Sequence, residues 1–335
     1  TAEFALRVAL GAQSSPRIEG TVAVRGMNWA AAPYSGPQTM SAEIAATVRG
    51  GSWRLEGREL KALGAVHQWK AERFTLNADG GGQYAATLSH GRLEDLLAML
   101  AFVKPDDDDV EQLRNFNATG HVERFVVDWR EIGAKRLPLT LTAQLRDLTW
   151  PESTRRWGVQ ALSGGLSMTH ERGKLVVDAP DIRISAKELS AQPLRFAKAS
   201  GIVEFDIADQ EVVYHTNDFV FSDAQLGLSV SGTIIDDERE EDLLDLQVNA
   251  RRINLVALRP YLPSPSLGNA LSEWLSGNVL SGQMTDLVMD VRGRSASLDA
   301  ASNADAVALR FKFANLAFNH TASLPPYQGV KGSFE

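Results

Sequence analysis

With 335 residues, 44% of them apolar, the chain has the material for a large buried surface and too few polar residues to stay disordered along most of its length. Its 34 basic and 42 acidic residues leave a net charge of −8, which argues against nucleic acid and gives no electrostatic reason to dock on anionic membranes. The absence of cysteine removes disulfides, thiolate metal sites and cysteine nucleophiles together, without fixing the compartment.

From Phe4 to Leu88 the pattern is strand after strand. Met40, Ala42, Ile44, Ala46 and Val48 alternate with other residues, as do Trp53 and Leu55, then Tyr84, Ala86 and Leu88. Gly50-Gly51 and Gly80-Gly81-Gly82 read as hairpin punctuation; the triple glycine lacks the lysine and the spacing of a phosphate-binding loop. Leu93, Leu96, Leu97 and Leu100 then take helical spacing and predict a short amphipathic helix over Leu93 to Phe102. Asp106 to Asp109 follow as a solvated acidic loop, since a calcium loop needs alternating ligands, a central glycine and a distal glutamate.

Alternation resumes at Val122 and continues through Leu137 to Leu145, Leu175 and Val177, Ile182 and Ile184, Val203 to Ile207, Leu226 to Val230, and Leu244 to Val248. At that density the chain holds on the order of twenty short strands joined mostly by hairpins, an antiparallel meander. Leu267, Leu271, Trp274, Leu275 and Val279 break the pattern with one apolar helical face, led in by Pro263 and Pro265 and stopped at Gly282. Met284, Leu287, Met289 and Val291 then return to strand. No apolar run approaches the roughly 18 residues of a membrane span, and no signal peptide is visible. Both ends read as cut through a sheet, as in a section of a longer protein.

A degenerate repeat runs through the chain. Leu145-x-x-Leu148-x-Trp150 has the spacing of Phe313-x-x-Leu316-x-Phe318 and of Val24-x-x-Met27-x-Trp29. Leu162-Ser-Gly164-Gly-Leu166 matches Val330-Lys-Gly332-Ser-Phe334, with Ala199-Ser-Gly201-Ile-Val203 a looser copy. A glycine at the start of a strand suits a bulge or bend.

So many half-apolar strands pose a covering problem. At about 25 cal/mol per Å², one strand face left in water costs several kcal/mol, and two short helices cannot shield them all. The sheet must pack on a second sheet, close into a barrel, or curl into a trough filled by something apolar. A membrane barrel wants aromatic girdles, and aromatics are only 7% here. On pattern alone a sandwich is the first answer for a β-rich chain, and the trough leads only when a family resemblance is added.

The segment from about Pro193 to Glu335 resembles the AsmA-like superfamily of Gram-negative envelope proteins, most closely its YhdP-like members. Ala250-x-x-Ile253-x-Leu255, Leu258-x-x-Tyr261-Leu262-Pro263, Leu271-x-x-Trp274-Leu275, Gly282, Val291-Arg292-Gly293, Phe311-x-Phe313, Pro325-Pro326 and Val330-x-Gly332 carry the resemblance by their order. It implies an all-β fold with a few short helices: an elongated, curved antiparallel sheet forming an open apolar groove. It also implies a periplasmic body, anchored in the inner membrane by an N-terminal helix that this chain lacks, along which phospholipid moves between the inner and outer membrane. Three parts are expected: residues 1–120, a β-groove module with a short helix near 92–103; residues 121–254, a second module; and residues 255–335, a helix-containing junction with the start of a third.

Acyl chains lying on an apolar strand face need no fixed polar chemistry, and none is clustered here. The candidate lining residues are Leu139, Leu141, Leu175, Val177, Val203, Phe205, Leu226, Leu228, Leu287, Met289, Phe311 and Phe313, with Leu267, Leu271, Trp274 and Leu275 packing a helix on the groove. Many of these could equally pack on one another, which would make the chain a passive scaffold or interaction module. Catalysis has little support. His67, His90, His121, His170, His215 and His320 show no metal-binding spacing, no G-x-S-x-G elbow occurs, and no carboxylate pair stands out. Neither a cofactor nor a metal is expected.

Overall fold

The computed structural model describes residues 2–9, 16–25, 38–64, 68–97, 117–132, 135–152, 157–185, 193–208, 211–224, 226–237, 242–258, 277–294, 307–319 and 325–334. They divide into two units, one of Thr1–Trp150 with Gly165–His170, the other of Pro151–Gly164 with Glu171–Glu335. The first holds β1 (Ala2–Ala9), β2 (Arg17–Arg25), β3 (Thr39–Arg49), β4 (Ser52–Leu63), β5 (Gln68–Ala78), β6 (Gln83–Arg92), β7 (Thr119–Ile132) and β8 (Lys135–Trp150). Strand β9 (Gly158–Met168) is divided between the units. The second holds β10 (Arg172–Ser185), β11 (Leu194–Ile207), β12 (Glu211–Ser222), β13 (Gly227–Asp237), β14 (Leu243–Asn254), β15 (Val279–Arg294), β16 (Val307–Phe318) and β17 (Tyr327–Phe334).

Each unit is an all-β antiparallel meander. In the first, every strand pairs with its chain neighbour from β1 to β8. In the second the same holds from β10 to β17. Among the described residues no register joins β1 to β8 or β10 to β17, so neither meander is closed into a barrel on its own.

The strands are fewer and longer than simple alternation predicts, and bulges are the reason. Leu175 and Val177 belong to the same strand as Ile182 and Ile184; between them Asp181 takes φ +52°, and the buried positions step from Val177 and Ala179 to Ile182 while the register with β11 runs through unshifted. A strand that alternates strictly would turn Ile182 to the opposite face, and the left-handed Asp181 keeps it on the buried face of Val177. The repeat reads the same way. Asp147 (φ +53°) and Asn315 (φ +52°) occupy the same place in Leu145-x-x-Leu148-x-Trp150 and Phe313-x-x-Leu316-x-Phe318. Aspartate and asparagine tolerate this left-handed backbone best among residues with a side chain. The third copy, through Met27 and Trp29, lies outside the described residues.

In a meander, alternate connections fall on the same lateral side of the sheet, so each unit has two distinct sides. On one side lie tight hairpins, such as Gly50-Gly51 between β3 and β4 and Gly80 to Gly82 between β5 and β6. On the other side lie the left-handed residues, Glu59, His90 and Asp147 in the first unit and Asp181, Asp286 and Asn315 in the second, with β-bulges beside Glu59, Asp147, Asp286 and Asn315. Bulges bend the strands that carry them. The buried core follows this second side closely. It comprises Ala62, Ala71, Val122 and Trp150 in the first unit, and Val177, Ala179, Ile182, Phe196, Ala199 and Ile253 in the second.

The short helices also sit on the bulge side. Residues 93–97 are helical, the remainder of the helix predicted to Phe102 lies outside the described residues, and Glu94 accepts a hydrogen bond at 3.2 Å from the Gly120 N–H. A second turn, Leu255–Leu258, carries no periodic signal in the sequence because four residues are too few for an amphipathic period. Asn254 caps it, its Oδ1 accepting from the Val256 N–H at 2.9 Å. Leu255 lies close over Gly282, which is inside β15 rather than at a helix end. Most of the helix predicted over Leu267 to Val279, including Leu267, Leu271, Trp274 and Leu275, falls outside the described residues. Gly277 and Asn278 are helical, and Val279 opens β15 as a buried strand residue.

Candidate functional site

The register builds an apolar face in each unit. In the first, Ile18 stands opposite Ala46, Ala46 opposite Leu55, Leu55 opposite Leu76, and Leu76 opposite Ala86. Ala86 then pairs with Val127, and Val127 with Leu141. One apolar row thus crosses seven strands, and every residue in it is half-buried. A parallel row, two residues or about 7 Å along, passes through Ile44, Gly57, Phe74, Leu88 and Phe125. The ring of Phe74 lies over Gly57, where an added Cβ would fall 1.9 Å from it. In the second unit the Phe205 ring covers Gly173 in the same manner, so an aromatic ring fills the gap left by glycine in both units.

The second unit repeats the plan. Val230 pairs with Val248, Val248 with Met289, and Met289 with Leu309. Another row runs through Phe205, Tyr214, Ile234 and Leu244. All eight side chains are half-buried.

The opposite face of each unit is polar. Arg54 pairs with Glu56 at 2.7 Å and Thr140 donates to Asp128 at 3.0 Å in the first unit. In the second, Lys198 meets Asp178 at 3.0 Å, Arg292 meets Asp245 at 3.2 Å, and Gln247 donates to Asp290 at 2.8 Å. These exposed pairs contribute about 0–1 kcal/mol each, and their main effect is to keep that face wet. Arg195 hydrogen-bonds Asp181 at 2.7 Å and holds its carboxyl below the usual aspartate range. Val176 and Ile202, directly opposite each other and exposed, are an apolar exception on the polar side.

The register places Leu175, Val177, Val203, Phe205, Leu228, Leu287, Met289, Phe311 and Phe313 on the apolar face of the second unit, and Leu141 on that of the first. Leu226 joins them through an isolated bridge to Ile253. Val177 and Leu226 are buried at the bulge side, at 3% and 6% exposure; the others of this group are half-buried. Leu139 lies in β8, but its side chain is outside the described residues. Sequence reasoning nominated too few residues in the first unit: Ile18, Leu55, Leu76 and Val127 share the face of Leu141. Leu55 and Val127 lie in alternating runs of β4 and β7, a signal for a strand that does not say which face meets a ligand, and Ile18 and Leu76 take their place from the register of β2 and β5.

What the registers define is a class: antiparallel β-meander units, each with one apolar and one polar face. The chain belongs to the YhdP protein family, whose model matches residues 11–335. That is a family of lipid-transport-type proteins of the Gram-negative envelope. Comparison with curated proteins returned no match, and comparison with solved structures returned none. No described helix is long and apolar enough to cross a membrane.

Proposed function

We propose that the apolar face of each unit carries phospholipid acyl chains, as a periplasmic segment of a bridge-like transport protein anchored in the inner membrane. The observation that supports this best is the half-burial of the rows through Leu76 and Val248. Large aliphatic side chains registered across many strands, with charged residues on the reverse, present an apolar surface that water disfavours. An acyl chain covering it gains about 0.8 kcal/mol for each methylene removed from water. Such contacts are non-directional, so a chain sliding from one row to the next exchanges equivalent surroundings. That is the property a conduit needs, and it requires no catalytic group. Family membership supports the same reading at the level of lipid transport.

The alternative is a scaffold whose apolar face is covered by protein. Gentle purification followed by native mass spectrometry and lipid extraction separates the two. Phospholipid masses bound to the folded chain are expected. An empty protein that takes up no labelled phospholipid would leave the scaffold.

A further inference from the structure

We propose that phospholipid lies across the sheet of the Thr1–Trp150 unit in one orientation, with its head-group end at the hairpin side against Trp53, Tyr84 and Trp129, and its acyl chains directed toward the bulge side. This rests on the acyl-chain reading of the apolar face and adds a direction to it.

The two ends of the strands differ in the way the two ends of a lipid do. At the hairpin end, Val48 pairs with Trp53, Trp53 with Ala78, Ala78 with Tyr84, and Tyr84 with Trp129. Tyr84 and Trp129 stack with ring centroids 5.5 Å apart and planes 11° from parallel. Trp53 is 39% and Val48 47% exposed while Tyr84 and Trp129 are half-buried and Ala78 is buried, so the row meets water at β3 and β4 before the chain turns. Immediately beyond it are the glycine turns and Asp79, whose carboxylate accepts from the Gly81 and Gln83 N–H groups at 2.7 and 3.0 Å. Indole and phenol rings with an apolar body and a polar tip favour the boundary between hydrocarbon and head group.

At the bulge end buried small and branched residues predominate, with Met40, opposite Ala62, exposed on β3. Ala62, Ala71 and Val122 are buried there, with exposures of 1%, 4% and 1%. A phosphate placed among them would lose its hydration without gaining donors. The length also fits. Val48 to Ala42 spans six residues, about 20 Å of strand, against an acyl layer of about 15 Å in half a bilayer.

The test uses the whole chain loaded with two phospholipids, one carrying a diazirine on the head group, the other at the acyl terminus. Labelled residues are mapped by peptide mass spectrometry. Head-group label is expected several-fold enriched on Val48 to Trp53 and Ala78 to Tyr84, and acyl-terminal label on Met40 to Ile44. Met40 and Val48 share one strand and are both exposed, which makes them matched reporters. Trp53→Leu, at an exposed position, should spread the head-group label along β3. The same distribution for both probes, or the reverse one, would overturn the orientation and leave acyl binding standing. No labelling by either probe would overturn both.

Discussion

Val248→Asp combined with Met289→Asp should reduce phospholipid loading of the second unit by at least two orders of magnitude while the chain still folds. The two residues are register partners in neighbouring strands at the middle of the apolar face. Each is half-buried, so a carboxylate there can reach water when no lipid is present. With acyl chains on the face it cannot, and a charge among hydrocarbon costs about 3 kcal/mol on the more lenient scales. One such cost is over a hundredfold in occupancy, and the second adds to it. Loading of a fluorescent phospholipid, read beside circular dichroism, checks both halves of the expectation. Asn249→Asp, on the polar face of the same strand, should change loading little.

The bulge side should show the opposite balance. Ile182 is 2% exposed and stands opposite Phe196, 3% exposed, where the strands bend. Ile182→Ala removes buried methyl groups from a site that relaxes only in part, at a cost of about 2–5 kcal/mol. Phe196→Ala should cost about 3–5 kcal/mol, and the pair should not be additive because the residues are cross-strand neighbours. Urea unfolding would report it as a lower midpoint with little change in slope. Lipid loading below the transition should be close to normal. Stability and loading then map to different ends of the same strands. If Ile182→Ala emptied the protein without destabilising it, that division would be wrong.

How much of this was readable in the amino-acid sequence depended on the period of each signal. Alternation at Met40 to Val48 or Leu244 to Val248 marks a half-apolar strand directly, and hairpin glycines mark the turns. All-β antiparallel architecture follows from those two signals. The bulges were harder to read. Leu145-x-x-Leu148-x-Trp150 was visible as a repeat, but its spacing matches neither a strand nor a helix, and its meaning emerged only from the positive φ of Asp147. Missing the left-handed step at Asp181 splits β10 into two strands and hides that Val177 and Ile182 share a face. The candidate face was readable residue by residue but not in depth. Nothing in the alternation distinguishes Val177, buried at the bend, from Val203, half-buried on the same face, because burial depends on distance from the bulge line and not on period.

Apolar-face contact with acyl chains is tested most directly by photo-crosslinking in the living cell. A photoreactive residue replaces, one at a time, Leu76 and Val248 on the apolar faces, and Thr87 and Ser231 on the polar ones. Phospholipid adducts are expected at Leu76 and Val248 and absent at Thr87 and Ser231. Equal adducts at all four positions, or protein adducts alone at Leu76 and Val248, would contradict it.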